Sequence, residues 1–127
     1  MATGLFGTAI NCIDGRVQIP LYYWMKERYN LDYVDMINEP GPDGILSGKN
    51  EQVIQRIKEK VLISVSGHHS KVLVIAGHYD CAGNPVTEEE HKRQIKEAVD
   101  KVKKWNIPEL NIEGVWINQK WSIEVIA

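Results

Sequence analysis

With 127 residues, 43% of them hydrophobic and 25% charged, the chain is sized for one globular domain, 1–127, with a core of its own. A net charge of −2 excludes a general attraction to nucleic acid or to an anionic membrane surface, and no apolar run approaches membrane-spanning length. The N-terminus carries no basic stretch followed by an apolar one, so no secretory signal is expected and the cytoplasm is the expected compartment.

Leu5 to Ile13 reads as a buried strand that runs into Cys12-Ile13-Asp14-Gly15-Arg16. Pro20 suits the first turn of the next segment, an aromatic-rich helix over Leu21 to Tyr29. Leu31 to Ile37 reads as a second strand, and the Asn38 to Gly44 breaker cluster as loop, with the Pro- and Gly-rich stretch to Gly48 placed as a lid. Asn50 is an N-cap for a helix carrying Val53, Ile54, Ile57, Val61 and Val65 at helical spacing. The run Lys71 to Ala76 fits a fully buried parallel strand, and His78-Tyr79-Asp80-Cys81 follows it directly. Thr87 with Glu90 predicts a capping box opening a helix with Ile95, Ala98, Val99 and Val102 on one face. Leu110 to Asn118 and Trp121 to Ile126 read as closing strands.

Alternating strands and helices predict an α/β fold, a mostly parallel central sheet of about 4–5 strands, order near 2-1-3-4, with helices on both faces. In that order, successive crossovers leave strand 1 in opposite directions, and ligands bind such sheets at the C-terminal end of that switch. Cys12 and His78 would both emerge there.

The two motifs offer two thiolates and an imidazole, a donor set that suits zinc. Three protein ligands with a fourth position open is the plan of a catalytic zinc site. Taken singly, each cysteine reads as a small buried core residue; taken together, with Asp, Arg and His at fixed offsets, the pair reads as a metal site, and a disulfide between Cys12 and Cys81 is the other alternative. Asp14 and Arg16 alone would read as a strand-end turn with a solvated ion pair. No Gly-x-x-x-x-Gly-Lys-Ser/Thr pattern appears, and Arg16 stands too close to Cys12 for a tyrosine-phosphatase loop.

The pair Cys-x-Asp-x-Arg and His-x-x-Cys resembles the zinc site of the β-class carbonic anhydrases. The likeness extends to Gly77–Gly83, to Asn38 and Gly41 after strand 2, and to Gly114–Asn118 with Trp121–Val125. It implies Zn2+ held by Cys12, His78 and Cys81, with Asp14 and Arg16 as a catalytic dyad and Asn38, Gly41 and Gly83 at the substrate pocket. It implies a zinc lyase that hydrates carbon dioxide to bicarbonate through a metal-bound hydroxide, the metal lowering the pKa of water to about 7. Carbonyl sulfide and carbon disulfide are the related substrates. A homodimer or larger homo-oligomer is implied as well, with no nucleic-acid or membrane partner.

The chain departs from that family at several points. Strand 1 begins almost at Met1, so the N-terminal arm that embraces a partner is expected to be missing. No Gln precedes Cys12, Gly15 stands where serine is common, and Ala82 where glycine is common. Two rival readings therefore stand beside the enzyme: a zinc-binding, carbonic anhydrase-like binding or sensing module without hydratase activity, and a metal-free redox dithiol. His68 and His69 read as carbonyl caps of a helix C-terminus, or else as a metal-binding or proton-relay pair. His91 reads as packing at the edge of an apolar face and Asp80 as a loop or supporting charge. Tyr22, Tyr23 and Trp24 cannot all face one side of a helix, so some are expected to be exposed at an interface, and Trp116 and Trp121 invite the same reading.

Overall fold

Two apolar faces are written into alternate residues of the central strands. In a computed structural model, which describes residues 2–127, Ala9, Val74 and Ala76 join one core cluster while Ile10, Leu73 and Ile75 join the other. That is the period-2 alternation of strands buried on both sides. The strands are β1 (Phe6–Asn11), β2 (Tyr33–Asn38), β3 (Val72–His78), β4 (Asn111–Ile117) and β5 (Ile123–Val125). They form one five-stranded sheet of order β2-β1-β3-β4-β5, parallel except for the antiparallel edge strand β5.

Helix α1 (Gln18–Tyr29) covers one face through Leu21 and Met25. The short helix α2 (Pro42–Leu46), α3 (Glu51–His68) and α4 (Glu88–Lys103) cover the other, with Leu46, Ile57, Val61, Ala98, Val99 and Val102 in its core. The chain thus leaves β1 with its helix on one face and returns past it with helices on the opposite face. Right-handed crossovers require that change of face where the strand order reverses. The switch point lies between the C-terminal ends of β1 and β3, as the alternation predicts. No helix among the described residues is long and apolar enough to cross a membrane.

Several local expectations shift. Strand β1 ends at Asn11, so Cys12 and Ile13 belong to the loop beyond it. Strand β2 starts later than Leu31, because Asn30 turns the chain in a left-handed conformation and Asp32 and Tyr33 donate to the Leu5 carbonyl. The segment expected to be loop holds α2: Gly41, at φ 62°, sets the entry, and Pro42 supplies a preorganised first helical residue. Asn50 caps α3 by accepting from the Val53 N–H. Thr87 accepts from the Glu90 N–H, but the Glu90 carboxylate turns to Arg93 and Gln94, leaving half of a capping box.

Candidate metal centre

Two segments meet at the switch point. Cys12 follows β1, His78 ends β3, and Cys81 lies in the turn after it; all three are buried. Their donor atoms lie within 4.8 Å of one another, and the two sulfurs are 3.8 Å apart. His78 Nδ1 lies 2.7 Å from the Tyr79 carbonyl, so its N–H donates there and the other ring nitrogen is left bare. That Nε2 is buried and has no hydrogen-bond partner. An orphaned imidazole nitrogen facing two sulfurs is costly unless something accepts its lone pair. The donor set and the orphaned atom together fit a zinc ion bound by these three residues.

The surroundings favour negative charge on the Cys12 sulfur. The Cys81 thiol, with smaller help from His78 and the Gly41 and Asp14 backbone N–H groups, holds the Cys12 thiol well below its ordinary range. Cys81 is pushed up by the hydrogen bond it makes to Cys12, and burial adds to that, so the two sulfurs share one proton between them. Burial works against charge on His78, but the neighbouring Cys12 sulfur and the Tyr79 carbonyl raise it above the usual imidazole value.

Asp14 and Arg16 pair in fork geometry, with Nη2 2.7 Å from Oδ2 and Nε 3.0 Å from Oδ1. The guanidinium holds the Asp14 carboxyl down to about 2. Asp80, at φ 57°, fixes the far side of Arg16 through its carboxylate at 3.2 Å and its carbonyl at 3.0 Å. The Trp121 ring lies 4.9 Å from the guanidinium carbon, a cation–π contact.

A cavity of about 400 Å³ opens beside this group, lined by Cys12, Ile13, Asp14, Pro40, Ala82 and Gly83. Asn38 and Gly41 stand behind its wall. Asn38 Nδ2 donates to the Cys12 carbonyl at 3.0 Å and to Gln18 Oε1 at 3.1 Å. Gly41 and Gly83 are pressed together: a Cβ on Gly41 would sit 2.5 Å from Asn84 Cβ, and one on Gly83 2.7 Å from Pro40 Cβ. The stretch expected to act as a lid is therefore a fixed wall.

Residues that the motifs do not mark hold this arrangement. Gln18 Nε2 donates to the Cys12 and Asp14 carbonyls at 2.7 and 2.8 Å. Asp43, fully buried, lies 2.6 Å from His91 Nδ1 and accepts from Asn84 Nδ2 and the Gly44 N–H at 3.0 Å. His91 is thus a buried partner of Asp43 instead of an edge residue. Trp116 is core, not interface. His68 does not cap carbonyls with its ring but bonds Asp35, and His69 ends α3 by taking a left-handed backbone.

A family model described as "Putative carbonic anhydrase" matches residues 2–127. Among solved structures, the fold is similar to a carbonic anhydrase from Streptococcus mutans (TM-score 0.62, 16% identity, 100% of this chain and 87% of that one). It is similar also to a carbonic anhydrase from Glaciozyma antarctica (TM-score 0.61, 18% identity, 94% and 81%). A third likeness is to the tetrameric β-carbonic anhydrases of Sordaria macrospora (TM-score 0.56, 14% identity, 99% and 82%). No curated protein gives a significant match to the sequence. Matched to that family from residue 2 to residue 127, the chain belongs to the carbonic anhydrases so described.

Proposed function

We propose that the chain binds Zn2+ through Cys12, His78 and Cys81 and hydrates carbon dioxide, with Asp14 and Arg16 as its catalytic pair. The observation that carries this reading is the bare, buried His78 Nε2 facing two sulfurs at the edge of a cavity that Asp14 also lines. A zinc ion held there supplies the Lewis acidity that makes water nucleophilic near neutral pH. Water adds across one C=O bond of carbon dioxide, giving bicarbonate and a proton.

The chain's own residues set up that addition. Tyr79 fixes the His78 tautomer so that Nε2 faces the site. Asp14, held ionised by Arg16, can accept a hydrogen bond from the attacking water but has no proton to give. It therefore orients a lone pair toward the substrate carbon. Asp80 and Trp121 keep Arg16 in place, and Gln18 keeps the Cys12 loop from shifting. Ile13, Pro40, Ala82 and Gly83 present mostly carbon to the cavity, which suits a small apolar molecule such as carbon dioxide, carbonyl sulfide or carbon disulfide.

A second reading, zinc binding without hydration, is favoured by one observation. Among the described residues, Asp14 is the one charged or hydrogen-bonding side chain lining the cavity besides the Cys12 sulfur, which leaves few groups to orient a substrate. Exposed Ile13 at the cavity, with exposed Ile19 and Tyr23 on α1, suits a homo-oligomer. Free thiols suit a reducing compartment such as the cytoplasm.

Stopped-flow hydration of carbon dioxide by zinc-loaded protein tests the enzyme reading. Turnover in the wild type and its loss, with zinc retained, in Asp14→Asn is the expected result. Full activity in that variant would refute the dyad, and a zinc-loaded wild type without turnover on any of the three substrates would leave the binding module.

A further inference from the structure

A second cavity, of about 420 Å³, lies at the other end of the sheet, where β1 and β3 begin. Strand length puts it about 20 Å from the metal centre. Leu5, Phe6, Leu31 and Val72 wall it, and Tyr29 and His68 contribute their rings. It is a half-open, mostly apolar recess of the size that takes a small organic ligand.

His68 is built into it with unusual support. Its ring stacks on Phe6 at 4.2 Å and 25°. Its Nδ1 is 2.6 Å from Asp35 Oδ2, and the same oxygen accepts from Ser64 Oγ at 2.6 Å. Ser64 in turn touches Thr8 Oγ1 at 2.7 Å, and Thr8 donates to Ser70 at 2.7 Å. Thr8, Ser64 and Ser70 are buried. A chain of hydroxyls thus fixes Asp35, and Asp35 fixes His68. With Nδ1 held by the Asp35 carboxylate, Nε2 is the ring nitrogen left to meet a ligand. No group among the described residues bonds that nitrogen, and the side chain is 38% exposed where it lines the cavity.

We propose that this cavity binds a phenol-type molecule, with its ring among Phe6, Leu31 and Val72 and its hydroxyl donating to His68 Nε2. Mostly apolar walls, with the His68 ring held by Asp35 and with His69 and Asn111 also on the lining, suit an apolar body carrying one acidic hydroxyl. An anion fits less well: Asp32 and Asp35 lie close by, and Lys71, the lysine among the described residues that lines it, is 3.6 Å from Glu109. The proposal is independent of the reading of the metal centre.

Titration of the full chain with 4-ethylphenol and with its methyl ether, 4-ethylanisole, followed by amide and imidazole NMR, tests it. Expected are saturable shifts at Phe6, Leu31 and Val72, a shift of the His68 Nε2 resonance with the phenol only, and binding of the ether about three- to tenfold weaker. In His68→Phe that preference should vanish while both ligands still bind. The His68 Nε2 signal reads the same bond in the unmodified protein, should the variant fail to fold. Absence of saturable shifts would overturn the proposal, as would equal binding of phenol and ether by the wild type or a preference that survives in His68→Phe.

Discussion

Replacing His91 by Leu should cost about 3 kcal/mol of stability. The two side chains are close in volume, so the change opens little space. It removes the donor 2.6 Å from Asp43 Oδ2, in a pair 2% and 1% exposed. Leaving one partner of such a pair alone costs about 3–5 kcal/mol. Asp43 keeps the Asn84 and Gly44 donors at its other oxygen, which places the expectation at the lower end of that range. In urea, with a slope of about 1–3 kcal/mol/M for a protein this small, the midpoint should fall by about 1–3 M. A double-mutant cycle isolates the pair: Asp43→Asn should cost at least 1 kcal/mol less, as an order of magnitude, in the His91→Leu background than in the wild type. A His91→Leu cost below about 1 kcal/mol, or a strictly additive cycle, would refute the claim that this contact clamps α2 to α4.

Trp121→Leu removes a partly exposed cation–π contact worth about 0.5–1 kcal/mol to Arg16, so kcat should fall about two- to fivefold with zinc content unchanged; an unchanged kcat would remove Trp121 from the account. Gly83→Ala places a Cβ 2.7 Å from Pro40 Cβ and 2.9 Å from the Pro40 carbonyl carbon, and should destabilise by about 1–3 kcal/mol in urea unfolding; no measurable cost would mean the wall beside Cys12 is soft. Burial, reinforced by the Glu113 carboxylate it bonds, raises the Tyr29 hydroxyl to about 12. A raised native value stabilises fully below the unfolded value of 10 and is lost as pH climbs through 12, so stability should decline across that window and Tyr29→Phe should flatten the decline. An identical pH profile in the variant would contradict this.

The grouping of Cys12, His78 and Cys81 beside Asp14 and Arg16 was legible because each half is contiguous: Cys12, Asp14 and Arg16 span five residues, and His78 and Cys81 span four. The sheet order was legible because β1 and β3 read as buried runs with helical patterns between them, and crossover handedness leaves few arrangements. Pairs made across long separations were not. Asp43 meets His91 48 positions away, and Asp35 meets His68 33 away. Sequence spacing is silent on such contacts. One signal was present: His91 and Gln94 lie on the same buried face of α4 as Ile95 and Ala98, and buried polar groups require partners. The short helix α2 was hidden by its own composition, since Pro42 and Gly44 are also what a loop would carry. Trp116 was misassigned because a large aromatic on a closing strand reads alike in a core and at an interface.

The most direct test of the central claim is the metal content of reduced protein purified without chelator, measured beside Cys81→Ser. The account predicts about one zinc per chain in the wild type and much weaker retention in the variant. A wild type that takes up no zinc when it is offered, with Cys12 and Cys81 joining readily in a disulfide, would contradict it and leave a redox dithiol in its place.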